Sequence, residues 1–221
     1  MKILNILDNN ELIHIKKLLA KIDFEDGEKS AKGLAKKVKN NEEAKISGGS
    51  FKEISDYIKN ILQDNDWLKR RYLPKQFSQP IINKYIVGSS YGRHYDASHM
   101  RNKSISLKKD FSFTLMLSNA SDYEGGELKI EAGNMTHKVK LDAGDMVVYP
   151  SMYMHNVLPV SKGERIAYVG WFASHISDYY AIETLNAFED MHLKLLEYDL
   201  SDEDQLSLGY VQNRLQHLLS D

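Results

Sequence analysis

His94 and Asp96 stand one residue apart, His155 follows some sixty positions later, and Arg165 comes ten residues after that. If residues 94–96 lie on a strand, alternation puts His94 and Asp96 on one face and Tyr95 on the other, as a packing residue. A third ligand from a distant strand, His155, completes a 2-His-1-carboxylate set, the donor set that holds Fe(II) while leaving positions open. Those positions suit a bidentate co-substrate and dioxygen. Arg165 supplies what a co-substrate with a second carboxylate needs. A guanidinium fork matches a carboxylate in two parallel hydrogen bonds, and its charge cannot be titrated away.

Each residue also has a plainer explanation. H-x-D is common by chance, a histidine after an apolar strand can be a surface loop residue, and Arg165 can pair with Glu164 or Glu183. Tyr85 is a candidate to offer its hydroxyl to the same carboxylate, in competition with core packing. Thr114 and Trp171 are weaker candidates for the pocket lining, and His99 for substrate contact. His14, His192 and His217 fall in helical stretches, and His137 and His175 lack a partner at ligand spacing. Gly125-Gly126-Glu127-Leu128 and Asp142-Ala143-Gly144-Asp145 are expected barrel corners, with Glu127 at most near the rim. There is no P-loop, dinucleotide fingerprint or nucleophile elbow.

The ordered combination predicts an Fe(II)- and 2-oxoglutarate-dependent oxygenase. Two other classes remain open. One is a cupin-like metal isomerase or a dioxygenase without a keto-acid, which Arg165 argues against. The other is a non-catalytic iron or ligand sensor, which the complete ligand set argues against.

Such residues need a rigid frame. Asn10 to Ile22 has helical spacing, Asp23 to Ser50 reads as a loop with at most short structure, and Ser50-x-x-Glu53 fits a capping box opening a helix to about Gln63. From Ile81 to Ala173 the period is two, giving eight candidate strands: Ile81–Val87, Tyr91–Asp96, Phe111–Ser118, Glu127–Glu131, Met135–Leu141, Met146–Tyr149, Asn156–Val160 and Arg165–Phe172. Helical spacing returns over Tyr179 to Leu196, and Ser201 opens a last helix to about Leu219. The expected class is mainly β with flanking helices around a double-stranded β-helix (jelly-roll) core. The expected division is an N-terminal helical region over residues 1–75, the jelly roll over 76–175 and a helical extension over 176–221.

Composition sets the outer limits. A chain of 221 residues, 42% hydrophobic and 27% charged, suits one moderate domain with additions. A net charge of -2 points to no nucleic-acid partner, and the basic run Lys32 to Lys39 reads as a solvated face. The absence of cysteine removes disulfides, thiolate metal sites and a Cys nucleophile. With no apolar run of spanning length, the expectation is a cytoplasmic protein with no membrane partner.

The ordered motifs resemble the bacterial PKHD-type hydroxylases, within the prolyl 4-hydroxylase-like branch of the 2-oxoglutarate oxygenases. They are Val38-Lys39-Asn40-Asn41, Tyr91-Gly92-Arg93-His94-Tyr95-Asp96, Asp122-Tyr123-Glu124-Gly125-Gly126-Glu127-Leu128, Ala143-Gly144-Asp145 through Tyr149-Pro150-Ser151, and His155 through Arg165. The resemblance implies that His94, Asp96 and His155 ligate iron and that Arg165 binds 2-oxoglutarate. It also implies L-ascorbate as a reductant, a link to iron limitation, and C-terminal helices that pack on the barrel and contribute to a homodimer. The substrate is not identified. The stretch His99–Lys109, with Asp23–Ser50, is expected to shape that choice.

Overall fold

The run Phe111–Met116 is buried at every position, so this strand lies in a sheet covered on both faces. The computed structural model describes residues 1–30, 33–101 and 106–220. Among them that sheet has eight strands. In spatial order they are Lys2–Asn5, Asp145–Pro150, Phe111–Met116, Arg165–Ser174, Ile81–Tyr85, Glu42–Ala44 and Phe24–Asp26, with Pro74–Phe77 also pairing to the Arg165–Ser174 strand. A five-stranded sheet runs Met135–Val139, Leu128–Ala132, Met154–Val157, Ser90–His94 and Lys39–Asn40. The pairings within both sheets are antiparallel, as the jelly-roll expectation requires.

Period two divides the large sheet into two faces of different character. Phe111, Phe113 and Leu115, with Tyr168 and Phe172 from the neighbouring strand, point outward into a cluster with Ile54, Ile58 and Leu62 of the helix Gly49–Asp64. Tyr85, Met116, Val147, Tyr149 and Ala167 point the other way, onto Leu128, Ile130 and Val157 of the small sheet. Truncating a fully buried Ile54 or Ile58 to Ala would cost about 2–5 kcal/mol. The outer cluster is apolar cover; the inner face meets the small sheet.

Several sequence expectations shift. The stretch Asp23–Ser50 contains strands Phe24–Asp26, Lys39–Asn40 and Glu42–Ala44, which extend both sheets. Lys2–Asn5 and Pro74–Phe77 add two more strands from outside the expected β region. These are pairing segments of two to four residues, too short to show a period. The Ser50 capping box does not form, because the helix starts at Gly49 behind an N-cap Gly48 and Ser50 lies within its first turn. A true capping box forms at Asp8 and Glu11, opening the helix Asn9–Leu19. The single expected strand Asn156–Val160 is two, Met154–Val157 and Val160–Gly163, parted at Pro159 and paired to different partners.

At the C-terminal end, the helix Tyr179–Leu195 buries Ile182, Leu185, Asn186 and Glu189. Asn186 accepts from Arg71 at 3.3 Å and Glu189 from Gln212 at 2.5 Å. The following helix Asp202–Leu219, capped by Ser201, has no fully buried residue. No helix among the described residues is long and apolar enough to cross a membrane. Residue 32 of the basic run, and residues 102–105 of the stretch expected to shape substrate choice, lie outside the described residues.

Candidate metal centre and co-substrate pocket

The small sheet sets the two imidazoles side by side. His94 ends the strand Ser90–His94, and His155 lies within Met154–Val157 as its register partner. His155 is therefore a strand residue and not, as the sequence suggested, the end of a loop. Asp96 departs in the opposite sense: the strand stops at His94, so strand alternation is not what aims this carboxylate. Its Oδ2 accepts hydrogen bonds from Ser112 Oγ and Trp171 Nε1, both at 2.8 Å. Those two residues face each other across paired strands of the large sheet. Tyr95, expected to pack, is instead 68% exposed.

Each imidazole is oriented by its own chain. His94 Nδ1 lies 2.7 Å from the Gly92 carbonyl and His155 Nδ1 2.9 Å from the Tyr153 carbonyl. A carbonyl only accepts, so Nδ1 carries the proton and Nε2 keeps its lone pair for the site. Tyr91 stacks on His94 with ring centroids 3.6 Å apart. Burial, and then the nearby His155, hold His94 below the usual imidazole range and keep it neutral. Donor atoms of His94, Asp96 and His155 all lie within 4.8 Å of one another, the one such cluster among the described residues. Two imidazoles that present Nε2 and one carboxylate, each held by hydrogen bonds, fit Fe(II). None of His14, His99, His137, His175, His192 or His217 belongs to that cluster, and His99 is exposed beside Ser98.

Farther along the inner face of the large sheet lies Arg165, only 2% exposed at the start of the strand Arg165–Ser174. Neither Glu164 nor Glu183 pairs with it, and it joins no ion pair among the described residues. Its Nε is buried without a hydrogen-bond partner. The guanidinium lies 5.2 Å from the ring centre of Tyr85, its register partner, and also bonds the Tyr123 hydroxyl. A buried cation with an unpaired donor is costly unless an anion joins it, which fits a carboxylate ligand. Burial raises the Tyr85 and Tyr149 phenols far above their ordinary range, so both are neutral hydroxyls.

Gly126 explains why the turn before Leu128 is more than a corner. Its φ is +66°, and a Cβ there would lie 3.2 Å from Arg165 Cδ and 3.0 Å from Val160 Cγ2. Glycine therefore permits the turn and also leaves the space that the Arg165 side chain occupies. Thr114 bonds Tyr149, whose ring meets the edge of His155. Glu127 is half-buried and its charge is felt at Tyr123.

Sequence reasoning missed Ser112, Tyr91, Tyr123 and Tyr149. Only strand pairing brings Ser112 beside Trp171, although the polar Ser112 and Thr114 within an apolar run were a usable signal. Lys109 was noted only as the end of a loop. Its ammonium lies 3.5 Å from the ring centre of Trp171, and burial lowers its pKa while Asp96 opposes that shift.

Comparison with known proteins bears on the family. Residues 80–173 match the 2OG-Fe(II) oxygenase superfamily. A PKHD-type hydroxylase of Alteromonas mediterranea is 36% identical over 214 residues, 96% of this chain and 95% of that one. Another, from Idiomarina loihiensis, is 39% identical over 177 residues, 79% of this chain and 77% of the other. Among solved structures, a Pseudomonas putida prolyl-4-hydroxylase superposes with a TM-score of 0.51 at 19% identity, covering 78% of this chain and 91% of that one. HygX from Streptomyces hygroscopicus, solved with nickel and 2-oxoglutarate, gives 0.55 at 11% identity over 78% and 82%. These two likenesses speak for the fold alone. The near full-length relatives go further: this chain belongs to the PKHD-type hydroxylases, enzymes of the 2OG-Fe(II) oxygenase superfamily.

Proposed function

We propose that the enzyme hydroxylates its substrate at a centre in which His94, Asp96 and His155 hold Fe(II) and Arg165 binds the distal carboxylate of 2-oxoglutarate. The overall balance is substrate C–H, dioxygen and 2-oxoglutarate giving substrate C–OH, succinate and carbon dioxide. When bound, Fe(II) supplies the redox chemistry that couples keto-acid decarboxylation to oxygen transfer. The chain's own residues do the rest. The carbonyls of Gly92 and Tyr153 hold the two imidazoles in the ligating tautomer, and Ser112 and Trp171 fix the Asp96 carboxylate. Arg165, with Tyr85 beneath it and Tyr123 beside it, offers a buried positive end for a carboxylate.

One observation carries the reading: a buried guanidinium without a carboxylate partner shares a barrel interior with a two-imidazole, one-carboxylate cluster. A metalloenzyme that uses no keto-acid has no need of that unpaired charge. The test is succinate release from 2-oxoglutarate by the purified protein under air with Fe(II). Failure to consume 2-oxoglutarate under any substrate condition would remove the proposal.

L-ascorbate is the proposed reductant. The expected result is that it sustains turnover better than an equimolar thiol. A homodimer through the C-terminal helices is also proposed, because the last helix leaves Leu206, Tyr210, Val211 and Leu218 exposed. Truncation after Ser177 would uncover the outer core beneath Ile182 and Leu185 and cause aggregation. A truncated chain that stays monodisperse and active would show these helices to be neither cover nor interface.

A further inference from the structure

Arg165 and Trp171 lie on the same inward face of one strand, six residues and about 20 Å apart along it. The Arg165 end is taken by the co-substrate in the reading above, on which this inference rests. The substrate must then approach from the Trp171 end. Trp171 Nε1 donates to Asp96 at 2.8 Å, and the ammonium of Lys109 lies 3.5 Å from the centre of the same indole. Lys109 is held there by its backbone, whose N–H donates to the Ser98 carbonyl at 2.9 Å, two residues beyond Asp96.

The neighbouring lysine shows why this matters. Lys108 is exposed and pairs with Asp110 at 3.0 Å. Lys109 is half-buried and joins no ion pair or side-chain hydrogen bond among the described residues. Residues 102–105 of the adjoining loop (Asn, Lys, Ser, Ile) contain no carboxylate that could pair with it. An indole face takes one side of an ammonium and leaves N–H donors free on the other. A cation kept on an aromatic platform, which feels the Asp96 carboxylate but forms no ion pair with it among the described residues, is suited to receive an anion from outside.

We propose that Lys109, seated on Trp171, anchors an acidic group of the substrate, so that the molecule hydroxylated here is an anion. A carboxylate and a phosphate offer the same chemistry to an ammonium, and the experiment separates them. Low-mass metabolite extract is divided by anion exchange, and each fraction is tested for stimulated succinate release and for a product heavier by one oxygen. The retained fraction is treated with phosphatase in one arm and left untreated in the other.

The expected result is that stimulation and the oxygenated product lie in the retained fraction. Loss after phosphatase identifies a phosphate, and survival a carboxylate. Lys109→Met raises the amount of that fraction needed for half-maximal stimulation about tenfold or more, while Lys109→Arg recovers most of it. Lys109→Glu moves the preference toward the unretained fraction. Stimulation confined to unretained fractions, no stimulation by any retained fraction, or a Lys109→Met protein indistinguishable from wild type would each overturn the proposal. A wild-type protein that never consumes 2-oxoglutarate would instead overturn the oxygenase reading, so the two failures are distinguishable.

Discussion

The two ends of the inner face are prepared differently. At the metal end, the Nδ1 atoms of His94 and His155 have backbone carbonyl partners, and Asp96 Oδ2 receives two hydrogen bonds before any ion arrives. At the Arg165 end, the buried guanidinium Nε has no hydrogen-bond partner among the described residues. The metal end is organised by saturation, the other by an unmet demand for an anion. A metal needs ligands at fixed positions and tolerates little search, so rotamers are locked in advance. A flexible diacid brings its own charge and can complete the far end itself.

The largest effect should come from Asp96→Ala at the metal end. It removes the charged ligand and strands the Trp171 N–H, at about 1–3 kcal/mol for the unpaired buried group, while the Ser112 hydroxyl keeps Ser151 as a partner at 2.9 Å. Anaerobic titration should show Fe(II) binding and turnover lost, and unchanged stoichiometry would defeat the assignment. Next, Arg165→Ala should weaken 2-oxoglutarate binding by about 2–5 kcal/mol, roughly thirty-fold to several thousand-fold, with Fe(II) affinity almost unchanged. Arg165→Lys should restore only part of that loss, because an ammonium cannot reproduce the fork. Wild-type affinity in the lysine variant would rule out bidentate recognition.

Two finer changes sharpen the contrast. Trp171→Phe keeps an aromatic ring but deletes one donor to Asp96. It should lower Fe(II) affinity by about 10–100-fold while 2-oxoglutarate affinity, measured with iron saturating, moves little. Gly126→Ala should do the reverse. A side chain at φ +66° costs about 1–3 kcal/mol of strain and presses on Arg165 Cδ. The 2-oxoglutarate Kd should rise about tenfold with Fe(II) binding intact. Equal loss at both ends in either variant would mean that the two ends are not independently organised.

Much of the site could be read from residue order, because ligand chemistry is local in type even where it is distant in space. His94, Asp96, His155 and Arg165 were recognisable from their identity and spacing. The supporting residues were not. Ser112 looks like any small polar residue in a strand until pairing sets it opposite Trp171, and Gly126 looks like any turn glycine until Arg165 is seen beside it. The strands Lys39–Asn40 and Glu42–Ala44 escaped because two or three residues carry no period.

By itself the sequence determined the candidate ligands, the mainly β core and the helices at both ends, for each follows from residue type or period. Tertiary structure decided what aims the carboxylate, since Asp96 stands beyond its strand and is held by donors from the opposite sheet. It also decided that Arg165 is buried with its Nε unpartnered among the described residues and that Lys109 sits on Trp171. These are contacts between residues far apart in the chain. Their energies depend on which strands pair and in what register, and no local pattern of residues encodes that.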